Sequence, residues 1–243
     1  MRALLMAAGL GTRLRPLTDF IPKPLVPVRG KPMVEYVLEV LAKNGVAEAI
    51  INVHYLPGNM RDFVDLWNLR GGIPLLKIQD ETKEILGSGG AVALAAPWLF
   101  AEGETAVICN SDVIADPDLL AMRKHHLALS SSNGVECTLA AVTHSDAGIK
   151  YNGMRRDNDL ILGFEQHGKH DAGLWHFPGY YLVEPTIMKR LPAAGRSFSI
   201  VDALWKPLVT EKKLGAWTYS GQYFDLGSVD DLKAAEAALS KAR

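Results

Sequence analysis

Residues 9 to 15, Gly-Leu-Gly-Thr-Arg-Leu-Arg, place two glycines one residue apart just ahead of two arginines. Backbone N–H groups can turn there toward an anion that any Cβ would hold off, and Arg13 and Arg15 follow at once. The chemistry suited to this pattern is the holding of a phosphate chain. Further on, Pro22-Lys23-Pro24-Leu25-Val26-Pro27-Val28 fixes one lysine in a proline-stiffened extended segment, where its ammonium suits phosphate too. Asp112 follows the apolar run Thr105-Ala106-Val107-Ile108-Cys109. An acid at the carboxyl end of a buried strand faces the ligand crevice of an open α/β sheet.

Two familiar phosphate motifs fail here. A P-loop requires Gly-Lys-Ser/Thr after the loop, and Leu14-Arg15-Pro16 stands there instead. A dinucleotide fingerprint requires a third glycine where Leu14 stands.

The elements that must position these residues alternate. Leu4 to Ala8 reads as a buried strand. Pro32 opens a helix in which Val34, Val37, Leu38 and Leu41 recur at helical spacing, with Gly45 as its C-terminal stop. Strand, helix and strand follow at Ala49 to Val53, Asn59 to Leu69 and Leu75 to Ile78. The polar stretch Gln79 to Gly90 reads as a loop running into a helix from Ala91 to Ala96, and a strand at Thr105 to Cys109 comes next. Ala115 to Leu129 is predicted as helix and Glu136 to Thr143 as strand; short β segments then turn at Asp157-Asn158-Asp159 and near Gly168. A strand from Gly179 to Val183 precedes a last helix, opened by Ser228 and Asp231 as an acidic capping box and running to Ala242. Alternation of this kind implies a parallel sheet.

Ala7-Ala8-Gly9-x-Gly11-Thr12-Arg13-Leu14-x-Pro16-Leu17-Thr18, followed by Pro22-Lys23-Pro24-Leu25-x-Pro27-Val28-x-Gly30-Lys31-Pro32-Met33, resembles the N-terminal signature of the sugar-1-phosphate nucleotidylyltransferases. Leu86-Gly87-Ser88-Gly89-Gly90-Ala91 resembles the family's second motif, under the nucleotide base. Tyr223-Phe224-Asp225-Leu226-Gly227-Ser228 resembles its aromatic-x-Asp-x-Gly-Thr motif. The resemblance implies a single-domain, Rossmann-like α/β fold with a mostly parallel mixed sheet flanked by helices. It divides the chain into a nucleotide-binding half (1–113), a sugar-phosphate half (114–228) and a C-terminal helix (229–243).

The implied reaction joins a nucleoside triphosphate to a sugar 1-phosphate, releasing pyrophosphate. Arg13, Lys23 and Asp112 would be catalytic, and Asp112 and Asp225 would hold one Mg²⁺. Nucleotide contacts would come from Ala8, Gly9, Gly11, Thr12, Arg13, Gln79, Glu84 and Gly87. Sugar-phosphate contacts would come from Gly153, Glu165, Gln166, His167 and Gly179. Where the family carries a glutamate followed by lysine and proline, this chain has Glu165-Gln166-His167-Gly168, so the phosphate cation is His167, Lys169 or a group elsewhere. Phe177-Pro178-Gly179-Tyr180-Tyr181 resembles the segment flooring the sugar pocket.

Chain length, the pair Gly89-Gly90 and Glu84 favour an N-acetylmuramate-1-phosphate uridylyltransferase. A mannose-1-phosphate guanylyltransferase-like enzyme and a phosphocholine cytidylyltransferase are the alternatives, with UTP or GTP as the leading bases. A non-catalytic nucleotide-sugar sensor is the reading of another class.

Composition agrees. With 243 residues, 48% hydrophobic and 22% charged, the chain can build one large core. The 26 basic residues against 27 acidic ones provide no global field for nucleic acid or membrane. No apolar run reaches the roughly 18 residues of a membrane span. Cys109 and Cys137 lie in apolar runs, which favours buried free thiols and a reducing cytoplasm. A homo-oligomer is expected insofar as relatives of this family associate.

Overall fold

The computed structural model describes residues 1–166, 168 and 173–241. It is a mixed α/β protein whose chain forms two compact units interleaved in sequence. The first unit takes Met1–Ile85, Cys109–Asp116 and Gln222–Arg243; the second takes Leu86–Ile108 and Pro117–Gly221.

In the first unit, β1 (Ala3–Met6) leads through short 3₁₀ turns to β2 (Pro27–Val28), β3 (Lys31–Pro32), α1 (Met33–Lys43), β4 (Glu48–Val53), α2 (Pro57–Leu69) and β5 (Leu75–Asp80). The strands pair in parallel in the order β1-β4-β5, with Leu4 opposite Ile50 and Ile51 opposite Ile78. Ala49 to Val53 of the middle strand are all buried, which explains their continuous apolar run. Gly45, at φ 75°, ends α1: its N–H donates to Ala42 O at 3.0 Å and that of Val46 to Leu41 O at 3.0 Å.

The chain then enters the second unit with α3 (Gly87–Leu99) and recrosses along β6 (Ala106–Asn110). The first unit resumes with β7 (Val113–Ala115), after which α4 (Leu119–Asn133), β8 (Cys137–Thr143), β9 (Gly153–Asp157), β10 (Leu160–Glu165), β11 (Trp175–His176) and β12 (Tyr180–Val183) belong to the second. A π-type turn at Val201–Trp205 runs into α5 (Lys206–Thr210), followed by β13 (Leu214–Thr218). Finally β14 (Tyr223–Asp225) and α6 (Val229–Lys241) return to the first unit.

Pairing in the second unit is mainly antiparallel. There β8 lies antiparallel to β12 and parallel to β13, and β9 and β10 form a hairpin whose turn residue Asn158 has φ 47°. His126 of α4 is fully buried, with one ring nitrogen 2.7 Å from Thr138 Oγ1 and the other 2.8 Å from Glu184 Oε1. Thr105 Oγ1 donates to the same carboxylate oxygen at 2.8 Å, so the helix is fastened to the strands by a satisfied polar network.

Several element boundaries differ from the pattern expectations. Gln79 and Asp80 extend β5 because their backbones pair with Asn52 and Val53. The cluster Gly87 to Gly90 is the first turn of α3, not a loop before it. Ala115 ends β7, and α4 begins only after Asp118, whose carboxylate accepts the Ala121 N–H at 2.8 Å. Ser130 to Asn133 stay helical until Gly134 at φ 68°. At Ser228 the hydroxyl donates to Asp231 at 2.6 Å and accepts the Asp231 N–H at 3.2 Å, opening α6 as a capping motif of the expected kind.

Candidate active site

In the first unit the loop after β1 is built around Gly11 and Lys23. Gly11 has φ 65°, and a Cβ there would lie 3.0 Å from Thr18 Cγ2 and 3.1 Å from Lys23 Cβ. Both conformation and space therefore favour glycine there. The buried Thr18 hydroxyl donates to Gly11 O at 2.8 Å and fixes the far side of the loop. Gly9 differs: its φ is not positive and a Cβ would meet nothing within 4 Å, so the fold itself imposes no glycine there. Ala8 is half-buried, and Gly9 and Thr12 are exposed on the same loop.

Lys23 is buried, and its Nζ forms an ion pair with Asp112 Oδ2. Asp112 is held in turn by the residue before it. Ser111 donates both its N–H (3.3 Å) and its hydroxyl (2.7 Å) to Met6 O at the end of β1. Asp112 caps no helix; that role falls to Asp118.

Asp225 arrives from the other end of the sequence. Strands β7 and β14 pair antiparallel with Asp225 opposite Val113, and Leu226 N–H donates to Asp112 O at 3.2 Å. Burial pushes the Asp225 carboxyl above the usual range, the neighbouring Asp112 carboxylate adds to this, and Lys23 and Arg13 oppose it. Arg13 reaches the same place by lying over Gly227, where a Cβ would stand 3.0 Å from Nη1. A packed cluster of Leu14, Val26, Val28, Met33, Ile114, Leu226, Leu232 and Ala235 supports these strands and loops from beneath.

Arg13, Lys23, Asp112 and Asp225 are thus gathered in one unit. Among the described residues no group of three or more His, Cys, Asp or Glu side chains could hold a metal ion. Two carboxylates with no nitrogen or sulfur donor fit Mg²⁺, which takes one or two carboxylates and completes its shell with water and phosphate oxygens. The two cysteines are free and buried, and burial pushes both thiols up, away from nucleophilic or ligand chemistry.

Gln79 and Glu84 belong to the same unit. Glu84 is exposed; Gln79 is buried at the carboxyl end of β5, with its Nε2 donating to Glu81 Oε1 at 2.9 Å. Sequence reasoning missed Glu81 and Asn52, whose Nδ2 donates at 3.0 Å to the same Glu81 oxygen that Gln79 reaches. The available signal was Asn52 inside the apolar run Ile50-Ile51-Asn52-Val53.

In the second unit Gly87 has φ 67°, and a Cβ would stand 2.8 Å from Phe198 O. A Cβ on Gly89 would lie 2.3 Å from the Phe198 ring, and one on Gly90 2.2 Å from Arg196 O. Gly89 N–H donates to Phe198 O at 2.9 Å, so one of the N–H groups opening α3 is taken by the chain itself. Close packing of residues 196 to 198 explains these glycines in full.

Gly153 and Glu165 stand directly opposite each other on β9 and β10, and Glu165 Oε1 accepts from Arg155 Nε at 2.8 Å. Gln166 is exposed next to them, Gly179 is buried at φ 86°, and His167 and Lys169 lie outside the described residues. Phe164, Phe177 and Tyr181 surround Trp205 with ring centroids 5.2–5.8 Å away, so these aromatics pack on one another.

Residues 2–242 match the nucleotidyl transferase family model, and the chain belongs to that family. It is 33% identical over 236 residues to the mannose-1-phosphate guanylyltransferase catalytic subunit beta of Dictyostelium discoideum, and 32% identical over 234 residues to mannose-1-phosphate guanylyltransferase 1 of Arabidopsis thaliana. Each match covers 95% of this chain but only 62% of the relative, so the chain spans under two thirds of these proteins. Its fold matches that of a UDP-glucose pyrophosphorylase solved with UDP-glucose, with TM-score 0.77, 22% identity and coverage of 100% of this chain and 99% of the other. No helix among the described residues is long and apolar enough to cross a membrane.

Proposed function

We propose that this protein is a Mg²⁺-dependent sugar-1-phosphate nucleotidylyltransferase, with GTP and mannose 1-phosphate as its substrate pair and GDP-mannose and pyrophosphate as products. The observation that carries the reading is the gathering of Lys23, Arg13, Asp112 and Asp225 in one unit. The base and the sugar are read from relatives named mannose-1-phosphate guanylyltransferase, which favour this alternative over the muramate uridylyltransferase suggested by chain length and local motifs.

An oxygen of the sugar phosphate attacks the α-phosphorus of the nucleotide, and the bond from that phosphorus to the β-phosphate oxygen breaks. No enzyme nucleophile is required; two anions must be aligned and their charge neutralised. The backbone from Gly9 to Thr12 and the Arg13 guanidinium hold the β- and γ-phosphates. Lys23 exchanges its Asp112 partner for the α-phosphate and the incoming oxygen. Asp112 and Asp225 would hold the Mg²⁺, which when bound would supply charge neutralisation on the phosphates.

Recognition of the sugar is assigned to Gly153, Glu165, Gln166 and Gly179. The test is pyrophosphate release with GTP, UTP, CTP and dTTP against mannose, glucose, glucosamine, heptose and muramate 1-phosphates. Release confined to GTP with mannose 1-phosphate supports the reading. Release confined to UTP with the muramate compound returns the muramate uridylyltransferase, and binding without release indicates a sensor.

A further inference from the structure

Ser111 and Asp112 link β6 to β7 and belong to neither strand, so bonds from outside those strands set their place. Ser111 is fastened to Met6, the last residue of β1: its N–H donates to Met6 O at 3.3 Å and its hydroxyl to the same oxygen at 2.7 Å. Asp112 is fastened through its own carbonyl, which accepts the Leu226 N–H at 3.2 Å, and Leu226 directly follows Asp225. The Asp112 carboxylate itself is engaged by Lys23 Nζ.

Of the two bonds to Met6, the hydroxyl's is the stronger hold. Its 2.7 Å is an ordinary O–H···O distance, whereas 3.3 Å lies beyond the usual range for N–H···O. Ser111 is 1% exposed, and with its proton committed to Met6 the hydroxyl is no nucleophile. In the proposed reaction Lys23 exchanges Asp112 for phosphate, and the Asp112 carboxylate then loses the side chain that engages it. From that moment the place of Asp112 depends on the Leu226 bond and on the two bonds from Ser111. Met6 also stands just ahead of the glycine loop, so one carbonyl oxygen ties Asp112 to the strand from which that loop departs.

We infer that Ser111 is a positioning residue for the metal-binding carboxylates: its hydroxyl anchors Asp112 to the end of β1, so that the carboxylate keeps its place beside Asp225 after Lys23 has turned to phosphate. The inference rests on the reading of Asp112 and Asp225 as the Mg²⁺ ligands and adds to it a residue that touches neither metal nor substrate. Groups that hold a metal's ligands from behind typically change its affinity roughly 10- to 100-fold when removed.

The test is titration of the full chain with Mn²⁺, the free ion being followed by electron paramagnetic resonance, with no nucleotide present. Lys23→Met reproduces the state in which the lysine has left Asp112. In that background Ser111→Ala, which removes the hydroxyl and keeps the N–H, is expected to weaken Mn²⁺ about tenfold. With Lys23 in place the same change should cost less, because the ammonium still engages the carboxylate. Ser111→Thr keeps a hydroxyl and should restore the affinity. Ser111→Cys, close to serine in size but only a weak donor, should show the same loss as Ser111→Ala and replaces it if that variant does not fold. A Ser111→Ala protein that melts earlier yet binds Mn²⁺ as its parent does would make the bond merely structural and overturn the inference. An equal loss with and without Lys23 would overturn it too. If the predicted loss is seen but no nucleotide releases pyrophosphate with any sugar phosphate, the positioning role stands and the transferase reading fails. If neither the wild type nor Lys23→Met binds Mn²⁺, both fall.

Discussion

Burial raises the pKa of Asp225 and the carboxylate of Asp112, more than a hundred positions earlier in the chain, raises it further, with β7 and β14 pairing so that Asp225 lies opposite Val113. Two neighbouring like charges are a liability that the fold tolerates. An acid whose folded pKa lies above its unfolded value costs stability once the pH exceeds that value, and the cost disappears on protonation. Asp225→Asn is accordingly expected to raise Tm at neutral pH in metal-free buffer while weakening Mn²⁺ binding. Thermal unfolding with and without Mn²⁺ checks both; a lower Tm in metal-free buffer would contradict the charge-repulsion account.

The two loop glycines should separate ligand from fold. Gly11→Ala places a side chain at φ 65° against Thr18 and Lys23, costing on the order of 1–2 kcal/mol from backbone conformation alone. Gly9→Ala meets open space and should leave Tm unchanged while weakening nucleotide binding. Unfolding curves and titrations on the two variants decide this, and a destabilised Gly9→Ala would mean the fold does use that glycine.

Gly90→Ala pushes a methyl to within 2.2 Å of Arg196 O, a backbone atom. Overpacking of this kind costs about 1–3 kcal/mol, or a Tm lower by about 2–4 °C for each kcal/mol. Differential scanning calorimetry measures it, and an unchanged Tm would show that residues 196 to 198 yield easily.

Much of this was legible in the sequence, and the failures have physical causes. The order of strand and helix in the first unit follows from apolar runs and from Gly45, because local chemistry decides those elements. Gln79 and Asp80 were read as loop because polarity hides a strand whose pairing with Asn52 and Val53 is non-local. The glycines at 87, 89 and 90 suggest a connector, but they open a helix because residues 196 to 198 press on them from more than a hundred residues away. Asn52 and Glu81 were missed for the same reason: they meet from 29 residues apart, and the one signal, Asn52 inside an apolar run, does not name its partner.

Acid should destabilise the second unit through His176. Burial, with His144 beside it, lowers the His176 pKa from 6.5 to about 4. The unfolded chain takes up a proton below pH 6.5 that the folded chain refuses until about 4, so this contribution to stability is lost as the pH falls through that window. Denaturant unfolding between pH 7 and 4 should show a smaller decline for His176→Phe than for the wild type; an equal decline assigns the loss to other groups.

The most direct test is pyrophosphate release from GTP and mannose 1-phosphate with Mg²⁺, comparing the wild type with Asp112→Asn. The account predicts turnover by the wild type and a loss on the order of 10²–10³ in kcat for the variant, the scale seen when one positioned electrostatic group is removed. A variant that keeps the wild-type rate would contradict the assignment of Asp112 to the reacting phosphates.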